Sequence, residues 1–316
     1  MGLIRKIVLT PIKWAVKKVI HKTLLEFPKQ ENKYPVACVY CPEMCRFSCP
    51  TAVVTGNDAV TPRGKVSLLY KEEKWPGKIS KNKELWPIYD CTGCGRCSKY
   101  CVYEIPVADI LLEARQENKW NKIDHVILSE VEKQDKIGDL LDELGFPQKA
   151  ENRLNQFLVD SPVEVLVDEP KELFYLRKKG IDAKLSWGTH LNEKFVNKLK
   201  SSLSGERWLI AESVWLNRRL NNMSVNKWIK ELSLMPEFNL VLPFQSGDDC
   251  METAGEGAYQ FLFADQAKKI AQEYYQRDRK NIDGILCFSN RMANHFRASL
   301  NSDIEIKSII EIYNEK

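Results

Sequence analysis

The sequence predicts an α+β chain, in which a helical, cysteine-rich domain precedes an α/β domain with a mostly parallel sheet. Three observations support this fold class. Eight of the ten cysteines fall in two short runs, short apolar runs alternate with charged helical stretches in the C-terminal half, and the N-terminal segment is basic and amphipathic. We therefore divide the chain into an N-terminal helix (1–27), the cysteine-rich domain (28–115), a helical connector (116–160) and the α/β domain (161–316).

The N-terminal segment, residues 3–27, carries apolar residues and almost only positive charges. On a helical wheel Val8, Ile12 and Val19 share one side, and lysines such as Lys13 and Lys17 occupy the other. A basic amphipathic helix of this kind can lie in the headgroup region of an anionic membrane. The alternative is that its apolar side packs on the protein's own core or on a partner subunit. No apolar run reaches the roughly 18 residues of a transmembrane helix.

The two cysteine runs have the spacing that two [4Fe–4S] clusters require. They read Cys38-x2-Cys41-x3-Cys45-x3-Cys49-Pro50 and Cys91-x2-Cys94-x2-Cys97-x3-Cys101. In two-cluster ferredoxins the fourth cysteine of a run binds the other cluster. We therefore expect crossed ligation, with Cys38, Cys41, Cys45 and Cys101 holding cluster 1, and Cys91, Cys94, Cys97 and Cys49 holding cluster 2.

Zinc and disulfides are the alternatives to iron–sulfur clusters. Zinc sites usually come as two separate C-x-x-C pairs rather than as runs of four cysteines. Disulfides form in oxidising compartments, and no secretory signal peptide precedes the first run to indicate one. The first run departs from the common spacing, with three residues where two are usual between Cys41 and Cys45, and Val102 stands where a proline often follows the second run. Neither departure removes a ligand. All-cysteine ligation leaves no open iron position, which favours electron transfer over substrate chemistry.

The residues around the two runs favour helices rather than a compact ferredoxin hairpin. Pro62-Arg63-Gly64-Lys65 precedes the helical pattern VSLLYKEEKW, and another helical pattern, IPVADILLEARQENKW, follows Cys101. A helical domain with two clusters therefore fits this region. Lys65, Arg96 and Lys99 lie near ligands in sequence and could raise a cluster's potential, but each taken singly is expected to be a solvated surface charge.

The α/β domain contains five apolar runs that predict strands: VEVLV, AKLSW, RWLIA, NLVLP and GILCF. They alternate with helical stretches such as ADQAKKIAQEYYQRD, as in parallel βαβ units. No phosphate-binding glycine motif stands at a strand-to-helix turn, and the four histidines lack metal-ligand spacing. The net charge of +4 is modest and does not suggest nucleic-acid binding.

These motifs resemble the iron–sulfur subunit of glycolate oxidase. The resemblance rests on the two cysteine runs, on Pro62-Arg63-Gly64-Lys65 after the first, and on Cys101-Val102-Tyr103-Glu104-Ile105-Pro106 closing the second. That family includes lactate-utilisation iron–sulfur proteins and the heterodisulfide reductase subunits with cysteine-rich CCG domains. The resemblance implies a helical two-cluster domain, a C-terminal α/β region and a flavin-containing dehydrogenase or other redox subunit as partner.

The C-terminal region keeps the family's skeleton without its full set of thiols. Asp249-Cys250-Met251 stands where the family has Cys-Cys-Gly, and Cys287-Phe288-Ser289-Asn290 stands where it has Cys-x-x-Cys. Two thiols cannot assemble the family's C-terminal centre. We therefore expect a degenerate CCG-like domain in which Cys250 and Cys287 are small buried hydrophobes.

Three functions follow as hypotheses. The favoured one is a non-catalytic electron-transfer subunit that carries electrons between a flavin-type dehydrogenase and a membrane- or quinone-linked acceptor, in the cytoplasm or peripherally on the inner face of the membrane. The second is a thiol/disulfide reductase, which needs Cys250 and Cys287 within a Cα separation of about 7 Å. The third is a docking subunit whose clusters are structural.

Overall fold

The computed structural model describes residues 34–78, 85–117 and 165–315, with short gaps in the last range at 168, 179, 181, 188–192, 204, 221–222, 244, 247–248, 257–258, 279–280 and 301–302. The predicted N-terminal helix and nearly all of the predicted connector lie outside these residues. The chain forms two units. The first is Met1–Ile88 with Gly95–Ala114, and the second is Tyr89–Cys94 with Arg115–Lys316.

The first unit is built from short helices, as the sequence predicts. Its α-helices are α1 (Val36–Tyr40), α2 (Pro50–Thr55), α3 (Pro62–Lys74), α4 (Arg96–Lys99) and most of α5 (Val107–Glu117). Single 3₁₀ turns lie at Arg46–Ser48, Asp58–Val60 and Trp86–Ile88. Its core includes Val60, Val66, Leu69, Ile88 and Leu111.

Helix α3 begins at the Pro62-Arg63-Gly64-Lys65 motif, and its start is fixed by local chemistry. The side chain of Thr61 caps the helix by accepting a hydrogen bond from the backbone N–H of Gly64 at 3.0 Å, and Pro62 occupies the first turn. A Cβ on Gly64 would lie 2.2 Å from the carbonyl oxygen of Asp58. Only glycine therefore lets α3 approach the preceding turn this closely.

The second unit is an α/β structure with two parallel sheets. β1 (Val165–Val167) pairs with β2 (Ala183–Leu185), and a four-stranded sheet has the order β4-β3-β5-β6, formed by Leu240–Val241, Trp208–Ala211, Gly284–Cys287 and Glu305–Ser308. Every pairing is parallel. The helices are α6 (Pro170–Lys178), α7 (Glu193–Ser202), α8 (Met223–Leu234), α9 (Tyr259–Leu262), α10 (Ala264–Asp278), α11 (Asn290–Ser299) and α12 (Ile309–Asn314), with a π-helical turn at Trp215–Arg219.

Both faces of the larger sheet are covered, which explains its continuous apolar strands. Trp208 and Ile210 of β3 point into one hydrophobic cluster, and Leu209 and Ala211 point into the other. Trp208 also lies directly over Gly284 of the neighbouring β5, where an added Cβ would meet its ring at 2.4 Å. Gly284 is thus the residue that lets the indole pack flat against the sheet.

All five predicted strands are present, and all are parallel. The helical patterns after the first cysteine run and after Cys101 form α3 and α5, and ADQAKKIAQEYYQRD forms α10. The sequence reading missed β6, whose residues Glu305–Ser308 alternate exposed and buried side chains at the end of the sheet order. No helix among the described residues is long and apolar enough to cross a membrane.

Candidate metal centre

Four of the predicted ligands surround one cavity in the first unit. The cavity is lined by the cluster 1 cysteines, Cys38, Cys41, Cys45 and Cys101, and by apolar residues that include Met44, Val102 and Ile105. Cys97, which was assigned to cluster 2, also contributes to its wall. Cysteines from both runs, about 60 positions apart in the chain, therefore meet at this cavity.

The environment of these thiols suits a cationic centre. Burial, together with the nearby Cys101, Cys45 and Cys41, raises the pKa of Cys38 to about 12. Burial likewise raises the pKa of Cys45 to about 11, although a hydrogen bond from the backbone N–H of Arg63 favours its thiolate. Buried thiolates repel one another unless a cation lies between them, and metal binding releases their protons.

The quartet fits a cluster better than a single ion. No group of three or more His, Cys, Asp or Glu residues within the described ranges converges at the distances that one metal ion needs. The four thiols instead face a shared cavity. Cysteine thiolates alone are the usual ligands of [4Fe–4S] clusters, which would supply one-electron chemistry here.

Arg63 ties together the loop that presents the first run. Its guanidinium donates two hydrogen bonds to the carbonyl oxygen of Val39, from Nε at 3.1 Å and from Nη2 at 3.0 Å. A third goes from Nη1 to Oε1 of Glu43 at 2.9 Å. Val39 and Glu43 flank Cys41, so this one side chain binds the backbone before a predicted ligand and a side chain after it.

Lys65 is fully buried, which corrects its interpretation as a solvated surface charge. Its side chain is 0% exposed, and Nζ donates to Oγ1 of Thr51 at 3.1 Å. Thr51 Oγ1 in turn lies 3.3 Å from Sγ of Cys49. The cation is therefore two hydrogen bonds from a predicted ligand. Lys99, by contrast, is exposed as expected.

The segment Tyr89–Cys94, which carries two predicted ligands of the second run, belongs to the α/β unit. Gly93 has a φ of 74° and donates its backbone N–H to Sγ of Cys91 at 3.4 Å. Arg115 donates to the carbonyl oxygen of Cys91 at 2.5 Å, and Arg218 donates to that of Cys94 at 2.6 Å. Two arginines of this unit thus hold the loop between the two ligands.

Buried carboxyls adjoin the same segment. Tyr259 donates to Oδ1 of the buried Asp90 at 2.7 Å, and the side chain of Thr92 hydrogen-bonds to Glu252. Burial raises the pKa of Glu252 and of Glu256, and the proximity of Glu252 raises that of Glu256 further. Burial and mutual repulsion therefore favour the protonated forms beside the loop.

Cys250 and Cys287 are both buried, as the sequence predicts, and each is 0% exposed. Cys250 packs with Cys94, Val214 and Trp215, whereas Cys287 lies in β5 within a separate hydrophobic cluster. Burial raises the pKa of Cys250 to about 12 and raises that of Cys287 well above its usual value. Both thiols are free. These are the properties of unreactive core cysteines.

Sequence reasoning missed the roles of Arg63, Thr51 and Arg218. The Pro62-Arg63-Gly64-Lys65 motif was a usable signal, because it stands shortly after the first run. For Arg218 the sequence gives none, since Cys94 lies 124 positions away. Two acidic residues, Asp248 and Asp249, precede Cys250 in the sequence. Asp249 is exposed to solvent, and Asp248 lies outside the described residues.

Comparison with known proteins supports the iron–sulfur prediction for the cysteine-rich region. Residues 36–105 match the family model of the 4Fe–4S dicluster domain. No curated protein and no solved structure matches the chain. The matched range includes both cysteine runs and the cavity described above. The chain is therefore an iron–sulfur protein that carries a 4Fe–4S dicluster domain.

Proposed function

We propose that the protein is an electron-transfer subunit that carries electrons through two [4Fe–4S] clusters. The observation that carries the proposal is the cavity lined by five cysteines from both runs, among them all four predicted ligands of cluster 1. A cluster with four cysteine ligands has no vacant iron position for a substrate, so its chemistry is the gain and loss of one electron.

The proposed ligands are those that the spacing predicts. Cluster 1 is held by Cys38, Cys41, Cys45 and Cys101, which share the cavity. Cluster 2 is held by Cys91, Cys94, Cys97 and Cys49, on the strength of the crossed ligation of two-cluster ferredoxins. Crossed ligation brings clusters close together, which suits electron transfer between them.

The proposed donor is a flavin-type dehydrogenase, and the proposed acceptor is quinone-linked at the membrane. The resemblance to the glycolate oxidase family supports the flavin partner, and the basic segment 3–27 supports peripheral membrane contact on the cytoplasmic side. Large apolar side chains are exposed around the first cysteine run, with Tyr40 75%, Met44 59% and Phe47 83% accessible. Such side chains favour protein contact beside cluster 1. The α/β unit then serves as a docking platform.

A reductive titration tests this function directly. Anaerobic protein is titrated with dithionite, followed by its visible absorbance, and is then reoxidised with a one-electron oxidant. We expect about two electrons per chain, one for each cluster, and complete recovery. Uptake of about four electrons would indicate a disulfide between Cys250 and Cys287, and with it the reductase hypothesis. Uptake of none at any accessible potential would leave only structural clusters and refute electron transfer.

The reductase hypothesis has weaker support. It needs two thiols that approach each other and form thiolates, whereas Cys250 and Cys287 pack in separate clusters and have raised pKa values. Replacement of both by serine should leave the electron count unchanged.

A further inference from the structure

We propose that Lys65 acts through Thr51 to raise the reduction potential of the cluster that Cys49 binds. The inference rests on the proposed function, because it concerns one ligand of proposed cluster 2. Lys65 and Thr51 are therefore positioning residues, which act on the cluster through the sulfur of Cys49 without binding iron.

The directions of the hydrogen bonds support this role. Lys65 can only donate, so its contact with Oγ1 of Thr51 at 3.1 Å uses a lone pair of the hydroxyl. Oγ1 also lies 3.3 Å from Sγ of Cys49, and in that contact the hydroxyl is the donor once the cysteine ligates iron. A ligating cysteine is a thiolate, which accepts such a bond. The three groups therefore form a chain in which the positive charge of Lys65 polarises the hydroxyl toward the sulfur.

The burial of Lys65 makes this charge effective. The side chain is 0% exposed and Thr51 is 1% exposed, so water does not screen the interaction. No carboxylate among the described residues forms an ion pair with Lys65. A buried ammonium without a carboxylate is costly unless another negative charge compensates it. A cluster with four thiolate ligands is such a charge, and it becomes more negative on reduction.

Because reduction adds negative charge, a nearby cation stabilises the reduced state more than the oxidised state. Hydrogen bonds to the ligand sulfurs act in the same direction. The charge of Lys65 lies two hydrogen bonds from the sulfur, in surroundings whose effective dielectric constant is about 20. We therefore expect it to shift the reduction equilibrium about tenfold, which corresponds to about 59 mV for a one-electron couple.

The test is a potentiometric titration followed by EPR on four holoprotein variants, each with its iron content measured. Lys65→Met removes the charge while keeping a side chain of similar length, and we expect it to lower one of the two cluster potentials by about 59 mV, a tenfold change. Thr51→Val removes the hydroxyl and should lower the same potential, whereas Thr51→Ser keeps it and should not. Lys71→Met, on the exposed side of the same helix, is the matched control and should have no effect.

The outcomes separate this proposal from the proposed function. Wild-type potentials in iron-replete Lys65→Met and Thr51→Val would overturn it, and so would an equal fall of both potentials, because that would reflect general charge rather than a contact with Cys49. If Lys65→Met fails to fold, the Thr51→Val and Thr51→Ser pair decides. Wild-type protein without two reducible clusters would instead refute the proposed function.

Discussion

Replacing Arg63 by methionine should make cluster 1 labile while leaving cluster 2 in place. The guanidinium donates two bonds to the backbone carbonyl of Val39, before Cys41, and one to the side-chain carboxylate of Glu43, after it. Methionine replaces the apolar stem of the side chain without its guanidinium, and it keeps the backbone N–H that bonds Cys45. The change therefore removes the clamp on the loop without removing any ligand.

The size of the effect follows from these contacts. Net hydrogen bonds contribute roughly 0.5–1.5 kcal/mol each, and more where one partner is charged. The side chain of Arg63 is 38% exposed, so its ion pair with Glu43 must be discounted for solvent screening. A total of about 2 kcal/mol remains, which corresponds to about a 30-fold increase in the open population of the loop.

The assay is anaerobic iron release to a ferrous chelator. In Arg63→Met we expect about half of the iron to leave about 30-fold faster than from wild type, and the other half to leave at the wild-type rate. Lys71→Met, an exposed change on the same helix, should match wild type in both phases. Release at the wild-type rate would show that Arg63 does not hold the loop. Release of all the iron in a single fast phase would show that the clusters are not held independently.

Three further predictions concern ligation and stability. Cys101→Ser should alter the EPR signal of one cluster, and unchanged spectra of both would make the crossed assignment wrong. Gly284→Ala places a Cβ 2.4 Å from the ring of Trp208 and should lower the free energy of unfolding in urea by about 1–3 kcal/mol; no loss would show that the ring moves aside without cost. Burial alone would raise the pKa of Glu311, but hydrogen bonds from Arg297 and from the N-cap of α12 leave it lowered. The wild type should therefore have a larger free energy of unfolding than Glu311→Gln above the ordinary carboxyl pKa, and this difference should disappear as pH falls through the lowered pKa. A difference that stays constant with pH would contradict this.

The sequence predicted the elements whose signals are local. The spacing of the cysteines predicted an iron–sulfur domain. The alternation of apolar and helical segments predicted a parallel sheet, which the structure contains. Strand β6 was missed because Glu305 and Lys307 give it a polar composition. It is the edge strand of the sheet, and its exposed and buried residues alternate instead of forming a continuous apolar run. Its existence depends on pairing with β5, which no local pattern records.

The sequence predicts ligands for the candidate site, but it does not predict the residues that surround them. Lys65 lies on a helix that has charged residues on several sides, so its burial depends on how α3 packs against the first cysteine run. The contact of Arg218 with Cys94 joins residues that are far apart in the chain. Such contacts follow from tertiary packing, which spacing and periodicity do not specify.

The central claim is that the protein holds two adjacent [4Fe–4S] clusters, and metal analysis with EPR tests it most directly. Iron, acid-labile sulfide and zinc are measured on anaerobically purified protein, and EPR is recorded after dithionite reduction. We expect about eight irons and about eight sulfides per chain, with spin-coupled signals from neighbouring reduced clusters. About four irons would leave one quartet without a cluster, and zinc in place of iron would contradict the electron-transfer function.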